Sequence, residues 1–155
     1  MWYMPKPVTV SINLPQPRTT VFDHLDLIAN HEAFNDHLMT DWQFSGPPLG
    51  VGAAARVRTK AFGVADVVDI EVIETVAPEL IVERNTAARA RRVGCGTYRL
   101  HERADGGTLV EFEYRWLVTP LVDRLTAPLA RAFIRRNNST AMQRLAEQLA
   151  ACDQG

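Results

Sequence analysis

The feature that most restricts this chain is a change of hydrophobic period. From about residue 40 to residue 118, apolar and polar residues alternate with period two. These runs recur at roughly ten-residue spacing and are separated by tight-turn residues. From Pro120 onward the period lengthens to about 3.6. Leu121, Leu125 and Leu129 recur at i+4, and Met142, Leu145 and Leu149 share a later helical face. Half-buried strands followed by a long amphipathic helix have few packing solutions. An antiparallel meander whose apolar face is covered by the helix satisfies both patterns.

Local signals place the other elements. "VTVSINL" (8–14) alternates Val8, Val10, Ile12 and Leu14 with polar residues and reads as a strand. Pro15 and Pro17 end it, and Pro17 suits the first position of a short helix over "PRTTVFDHL". A second short helix is expected over "NHEAFNDHL", with Asn30 as its cap. Trp42 and Phe44 share a face of "TDWQFS", and "GPPLGVG" (46–52) is a turn. A hairpin is expected to turn near Gly63, setting Arg58 opposite Asp69 and Arg56 opposite Glu71. "APE" (77–79) precedes the strand "LIVER", "GTYRLHE" is another, and "ADGG" turns into "VEFEYRWLV" (110–118). Thr119 is expected to cap the C-terminal helix with Pro120 at its first position. That helix is expected to span most of 121–151, kinked or split near Pro128.

Length and charge narrow the function classes. The 155 residues suit one domain, 1–155, with one core. A net charge of −1 argues against a general nucleic-acid or anionic-membrane binder. "MWYMPKPVTV" has no long apolar run, and no window approaches the roughly 18 apolar residues of a membrane span. The expectation is a cytoplasmic protein without stable membrane insertion, a monomer or homodimer, with Cys95 and Cys152 as reduced thiols.

In "VEFEYRWLV", Val110, Phe112, Tyr114 and Trp116 face one way, and Glu111, Glu113 and Arg115 the other. With charged faces turned to water, the concave side receives Trp42, Phe44, Ala53, Ala55, Val57, Thr59, Val68, Ile70, Val72, Leu80, Val82, Gly96, Tyr98, Leu100 and that aromatic row. Ala53, Ala55 and Gly96 are small where a packed core is usually filled, so part of this wall is read as facing a cavity. Its polar groups are Thr59, Tyr98, Tyr114 and, by parity with Val82, Arg84. An unpaired buried guanidinium is costly, so Arg84 must reach the rim, meet an acid, or hold an anionic ligand group. The candidate ligand-binding set is Trp42, Phe44, Ala55, Thr59, Ile70, Arg84, Tyr98, Phe112, Tyr114 and Trp116. The cavity mouth is expected at Phe62–Val64, Asn85–Arg92 and the region of Pro128.

No metal-ligand spacing links His24, His31 or His37 to the nearby aspartates, so these histidines read as solvated helix ends. Neither cysteine has an evident base, and no catalytic residue, metal or cofactor is assigned. Arg89, Arg91, Arg92, Arg131, Arg135, Arg136 and Arg144 read as solvated, given 18 acidic against 17 basic residues.

The order of strand, two short helices, six strands and a long helix resembles the START/Bet v 1-like (SRPBCC) superfamily. The resemblance is specifically to its bacterial polyketide cyclase/dehydrase-like members. "LPQPRTTVFDHL", "GPPLGVGAAARVR", "APELIVE", "GGTLVEFEY" and "LARAFIRRNNSTAMQRLAEQL" carry the resemblance across essentially the whole chain. It implies an α+β helix-grip fold: a curved antiparallel sheet of six to seven strands around the last helix, with a cavity between. The superfamily hosts carriers, receptors and enzymes, so fold alone does not select among them. The first expectation is binding of a small hydrophobic or amphipathic molecule, lipid or polyketide-like. The alternatives are a polyketide cyclase/dehydratase-type enzyme and a regulatory or toxin-like interaction module.

Overall fold

A computed structural model describes residues 4–154. Seven strands form one antiparallel sheet: β1 (Val8–Leu14), β2 (Met39–Ser45), β3 (Ala54–Ala61), β4 (Val64–Val76), β5 (Leu80–Ala87), β6 (Arg92–Glu102) and β7 (Thr108–Val118). Their order is β1-β7-β6-β5-β4-β3-β2. β2 to β7 are thus a meander of sequential neighbours, and β1 joins its far edge against β7. Between β1 and β2 lie α1 (Arg18–Asp26) and α2 (His31–Asn35), and after β7 come α3 (Leu121–Leu125) and α4 (Ala127–Asp153). This is the helix-grip architecture. No helix among the described residues is long and apolar enough to cross a membrane.

The β3–β4 hairpin differs from the expected register by two residues. Phe62 and Gly63 both adopt positive φ, 52° and 78°, which makes a two-residue turn with Ala61 opposite Val64. Arg56 therefore faces Asp69, Arg58 faces Val67, and Ala54 faces Glu71. A two-residue shift preserves parity, so the apolar face is unchanged. The charges find other partners: Arg56 Nε lies 2.8 Å from Asp69, Arg58 reaches Asp41 at 3.5 Å, and Glu71 meets Arg84 at 3.6 Å. A further irregularity in β4, between Val72 and Glu74, matters more for the site.

The helix ends depart from the expected caps. Pro17 is the N-cap of α1, with ψ 152°, rather than its first helical residue. Asn30 is at the N-cap of α2, but its side chain donates Nδ2–H to the His24 carbonyl at 2.9 Å. Pro120, not Thr119, is at the α3 cap position, and the buried Thr119 hydroxyl has no hydrogen-bond partner. The C-terminal helix is split rather than kinked. Its break is at Thr126, and Pro128 sits in the first turn of α4, where its missing N–H would be unpaired anyway.

The core forms where the concave face meets the helices. Leu14, Val21, Leu25, Phe34, Ala53, Ala55, Val57, Ile81, Leu100, Val110, Leu145 and Leu149 are nearly inaccessible. α4 contributes its Ala141, Met142, Leu145 and Leu149 face, as its period requires. The leucines at i+4 do not follow: Leu121, Leu125 and Leu129 are 63%, 76% and 63% exposed. They sit on α3 and the first turn of α4, beyond the part of the helix that packs deeply. Arg131 and Arg135 donate to the Lys6 and Thr9 carbonyls and tie α4 to the β1 edge. Arg144 pairs with Asp36, beside α2.

Candidate functional site

β6 and β7 shape the cavity by exchanging volume. Gly94 lies opposite Trp116, and Gly96 opposite Tyr114. A Cβ at Gly94 would stand 2.2 Å from the Tyr114 hydroxyl oxygen, and one at Gly96 2.8 Å from the Phe112 ring. The glycines are therefore occupied by neighbouring rings, which lie back against β6. This corrects the reading of Gly96 as open space. Ala53 and Ala55 are likewise packed core, not cavity wall.

The space beside the concave face has two adjacent parts. An outer chamber of about 330 Å³ lies between the β3–β4 hairpin, the strand ends and the α3–α4 segment. Its walls include Thr59, Val68, Tyr114, Trp116, Phe133 and Ile134. Phe62, Val64, Asn85, Ala87, Arg92, Thr126 and Ala130 also border it. Asn85–Ala87 belong to β5, so the loop foreseen over Asn85–Arg92 is shorter than expected. An inner chamber of about 60 Å³ lies deeper, walled by His31, Trp42, Ile70, Glu83, Tyr98, Phe112, Asn138 and Met142 among others. Leu38, Met39, Asn85, Tyr114 and Ile134 line both, so the two chambers lie side by side.

Seven candidate residues thus meet around this space: Thr59 and Trp116 outside, Trp42, Ile70, Tyr98 and Phe112 inside, and Tyr114 at the junction. Three do not. Ala55 is core. Phe44 is 43% exposed and stacks on Trp42, lining a separate surface groove with Leu27, Pro47 and Pro48. Arg84 points outward and pairs with Glu71 in solvent.

The reversal at Arg84 has a definite cause. The β4 irregularity leaves Val72 opposite Glu83 and Ile70 opposite Asn85. Ile81, Glu83 and Asn85 therefore face the concave side, while Val82 and Arg84 face outward. The apolar run Leu80–Ile81–Val82 is compatible with either phase, so it could not decide between them. Its successors, Glu83 and Arg84, ensure that one ionisable residue points inward in both.

Glu83 is that residue, and it is 6% exposed. Burial pushes its carboxyl up to about 7. Its Oε2 accepts no hydrogen bond. His31 is an ionisable neighbour, with its Nδ1 3.9 Å from Oε2. His31 is not a solvated helix end: it is 3% exposed, with its ring against Phe34 and Tyr98. Its Nε2 lies 2.7 Å from the Leu25 carbonyl oxygen. A carbonyl only accepts, so Nε2 carries the hydrogen and Nδ1 presents its lone pair towards Glu83. Burial lowers the His31 pKa to about 4, against the raising effect of the Leu25 bond. The pair is a neutral imidazole beside an uncompensated carboxyl.

Two further residues lining the inner chamber carry a buried polar atom without a partner, Asn85 at Oδ1 and Asn138 at Nδ2. Buried polar atoms normally find a hydrogen-bond partner in protein or ordered water. The two tyrosines are held protonated. Tyr98 is raised well above its usual range by burial and then by the Glu83 charge, and burial pushes Tyr114 up to about 12. At the outer chamber, Arg92 forks onto Asp123 of α3 at 2.6 and 3.0 Å and approaches Asp66 at 3.6 Å. Neither cysteine is poised for chemistry: Cys95 is half-buried on the outer face, where burial raises its thiol pKa, and Cys152 is exposed. Among the described residues no group of three or more His, Cys, Asp or Glu is placed to hold a metal ion.

No family model matches the chain, and no curated protein does. Solved structures do. TTHA0849 from Thermus thermophilus superposes with a TM-score of 0.72 at 16% identity, over 95% of this chain and 99% of that one. The KanY protein gives 0.74 at 12%, over 96% and 99%. DynU16, from the dynemicin biosynthetic locus, gives 0.65 at 19%, over 93% of this chain but 47% of its own. At such identities the likeness establishes the shared fold, and the chemistry has to be argued from the site.

Proposed function

We propose that this protein binds a small hydrophobic or amphipathic molecule, lipid or polyketide-like, in the space between sheet and C-terminal helices. One observation carries the reading: an aromatic-walled outer chamber adjoins a buried one whose lining includes three residues with an unpartnered polar atom, Glu83, Asn85 and Asn138. Apolar walls with a few convergent polar groups are what a ligand site requires. The outer chamber, at about 330 Å³, falls at the lower end of the usual range of roughly 300–1,000 Å³. That DynU16, a neighbour in fold, belongs to the dynemicin biosynthetic locus is in keeping with a small-molecule ligand.

Glu83 supports a second reading, an enzyme of the cyclase or dehydratase type. A buried carboxyl raised to about 7 by desolvation is a group suited to proton transfer near neutral pH. Tyr98 and Tyr114 would then supply protonated hydroxyls to an enolate oxygen.

Titration with the neutral dye Nile red tests the binding reading. Saturable, blue-shifted emission in wild type, abolished by Thr59→Phe, is expected. Native mass spectrometry of the purified protein should show a retained small molecule or its displacement by the dye. Absence of saturable dye binding, together with no retained mass, would overturn it.

A further inference from the structure

We propose that the inner chamber is an amine subsite, in which Glu83 and Asn85 receive the ammonium of a primary amine and Asn138 donates to a neighbouring oxygen of the same molecule. The inference rests on the binding reading and names the polar head that the chambered ligand carries.

The first ground is charge. Glu83 is buried, and its Oε2 has no partner. Such a carboxyl is ordinarily matched by a buried cation. None of the inner chamber's lining residues is a lysine or arginine. Of the elements packed around Glu83, α2 offers His31, kept neutral with its only N–H spent on Leu25. β6 offers Tyr98, with Cys95 on its outer face, and β7 offers Tyr114. β4 presents Val72 and Ile70, and α4 presents Asn138, Ala141 and Met142, none of them ionisable. Arg92, at the outer chamber, is engaged by Asp123 and Asp66. The acids therefore outnumber the bases around the two chambers, and a carboxylate or phosphate head would meet no free cation there.

The walls fit the same head. Trp42, Tyr98, Phe112 and Tyr114 surround the chamber, and aromatic faces attract a cation in a desolvated site. Asn85 Oδ1 is a second unused acceptor, and Asn138 Nδ2 an unused donor. An ammonium bonded to Glu83 and Asn85, with a hydroxyl or carbonyl nearby for Asn138, satisfies all three.

Calorimetric titration with phenylethanolamine, phenethylamine and phenethyl alcohol, beside Nile red, tests this. At about pH 8 both amines should bind wild type about tenfold or more tightly than the alcohol, the usual reach of a charge-assisted hydrogen bond. Phenylethanolamine should bind at least as well as phenethylamine. Amine affinity should fall about tenfold per pH unit below pH 7, as Glu83 takes up the proton that binding must release. Glu83→Gln should lose both the preference for amines and the pH dependence. Nile red binding accompanied by equal affinity for amine and alcohol would overturn the amine subsite and leave the binding reading intact. Failure of Nile red and all three probes would overturn both. The wild-type pH profile decides the matter even if Glu83→Gln does not fold.

Discussion

Glu83→Gln should change the pH dependence of stability in a way that isolates one proton. The native carboxyl is raised to about 7 from an ordinary 4.5. Below pH 4.5 the group is neutral in both folded and unfolded chains, and burial carries no ionic penalty. Between 4.5 and 7 the unfolded chain ionises while the folded one does not, so stability falls as pH rises. The full span is 2.5 units, which at 1.36 kcal/mol per unit is about 3 kcal/mol. His31 acts with the opposite sign: lowered from 6.5 to about 4, it makes the folded state lose stability as pH falls through that range. Over the shared window the two slopes nearly cancel in wild type. Gln is isosteric and does not titrate, so the stability of Glu83→Gln relative to wild type should rise by about 3 kcal/mol from pH 4.5 to about pH 8. The same variant should lose stability on acidification below 6.5, with His31 no longer opposed. Urea unfolding followed by tryptophan fluorescence measures both. A stability difference that stays constant to within about 0.5 kcal/mol across that range would refute the burial argument.

Ala55→Phe overpacks a position that is 2% exposed and should lower stability by about 1–3 kcal/mol, whereas Thr59→Phe projects into the outer chamber and should melt near wild type while blocking dye binding. Equal melting of the two variants would contradict the division between core and chamber. Gly94→Ala should destabilise by about 1–3 kcal/mol, because its Cβ would overlap the Tyr114 hydroxyl, and the cost should shrink in a Tyr114→Ala background measured by chemical denaturation. Asp123→Asn removes the fork from Arg92 to α3, so α3 amides should exchange hydrogen faster while global stability changes by less than about 1 kcal/mol.

The fold was legible because its two periods were clean. Val110, Phe112, Tyr114 and Trp116 alternate without interruption, and all four are on the concave side. The long helix was readable from Met142, Leu145 and Leu149. The site was only half legible. Its aromatic wall follows from alternation, but Glu83 depends on an irregularity in another strand, between Val72 and Glu74. Alternation within "LIVER" cannot register a displaced partner strand. The available signal was cross-strand charge: Arg84 opposite Glu71 favours an outward Arg84 and therefore an inward Glu83. His31 was missed because a five-residue helix has too little sequence to show which face it buries. The exposed leucines of α3 show the converse error, since an i+4 pattern says which residues share a face and not whether anything covers it.

The volume exchanged between β6 and β7 also gives the cavity a way to diversify. Phe112 and Tyr114 lean into the space that side chains at 96 and 94 would fill. A methyl group added at either glycine would push a ring forward, narrowing the chamber from behind its own wall. Ligand size could then change between descendants of this protein without alteration of a single residue that touches the ligand. Conservation mapped onto the lining alone would miss it, because the setting is kept one layer back, in two residues that have no side chain.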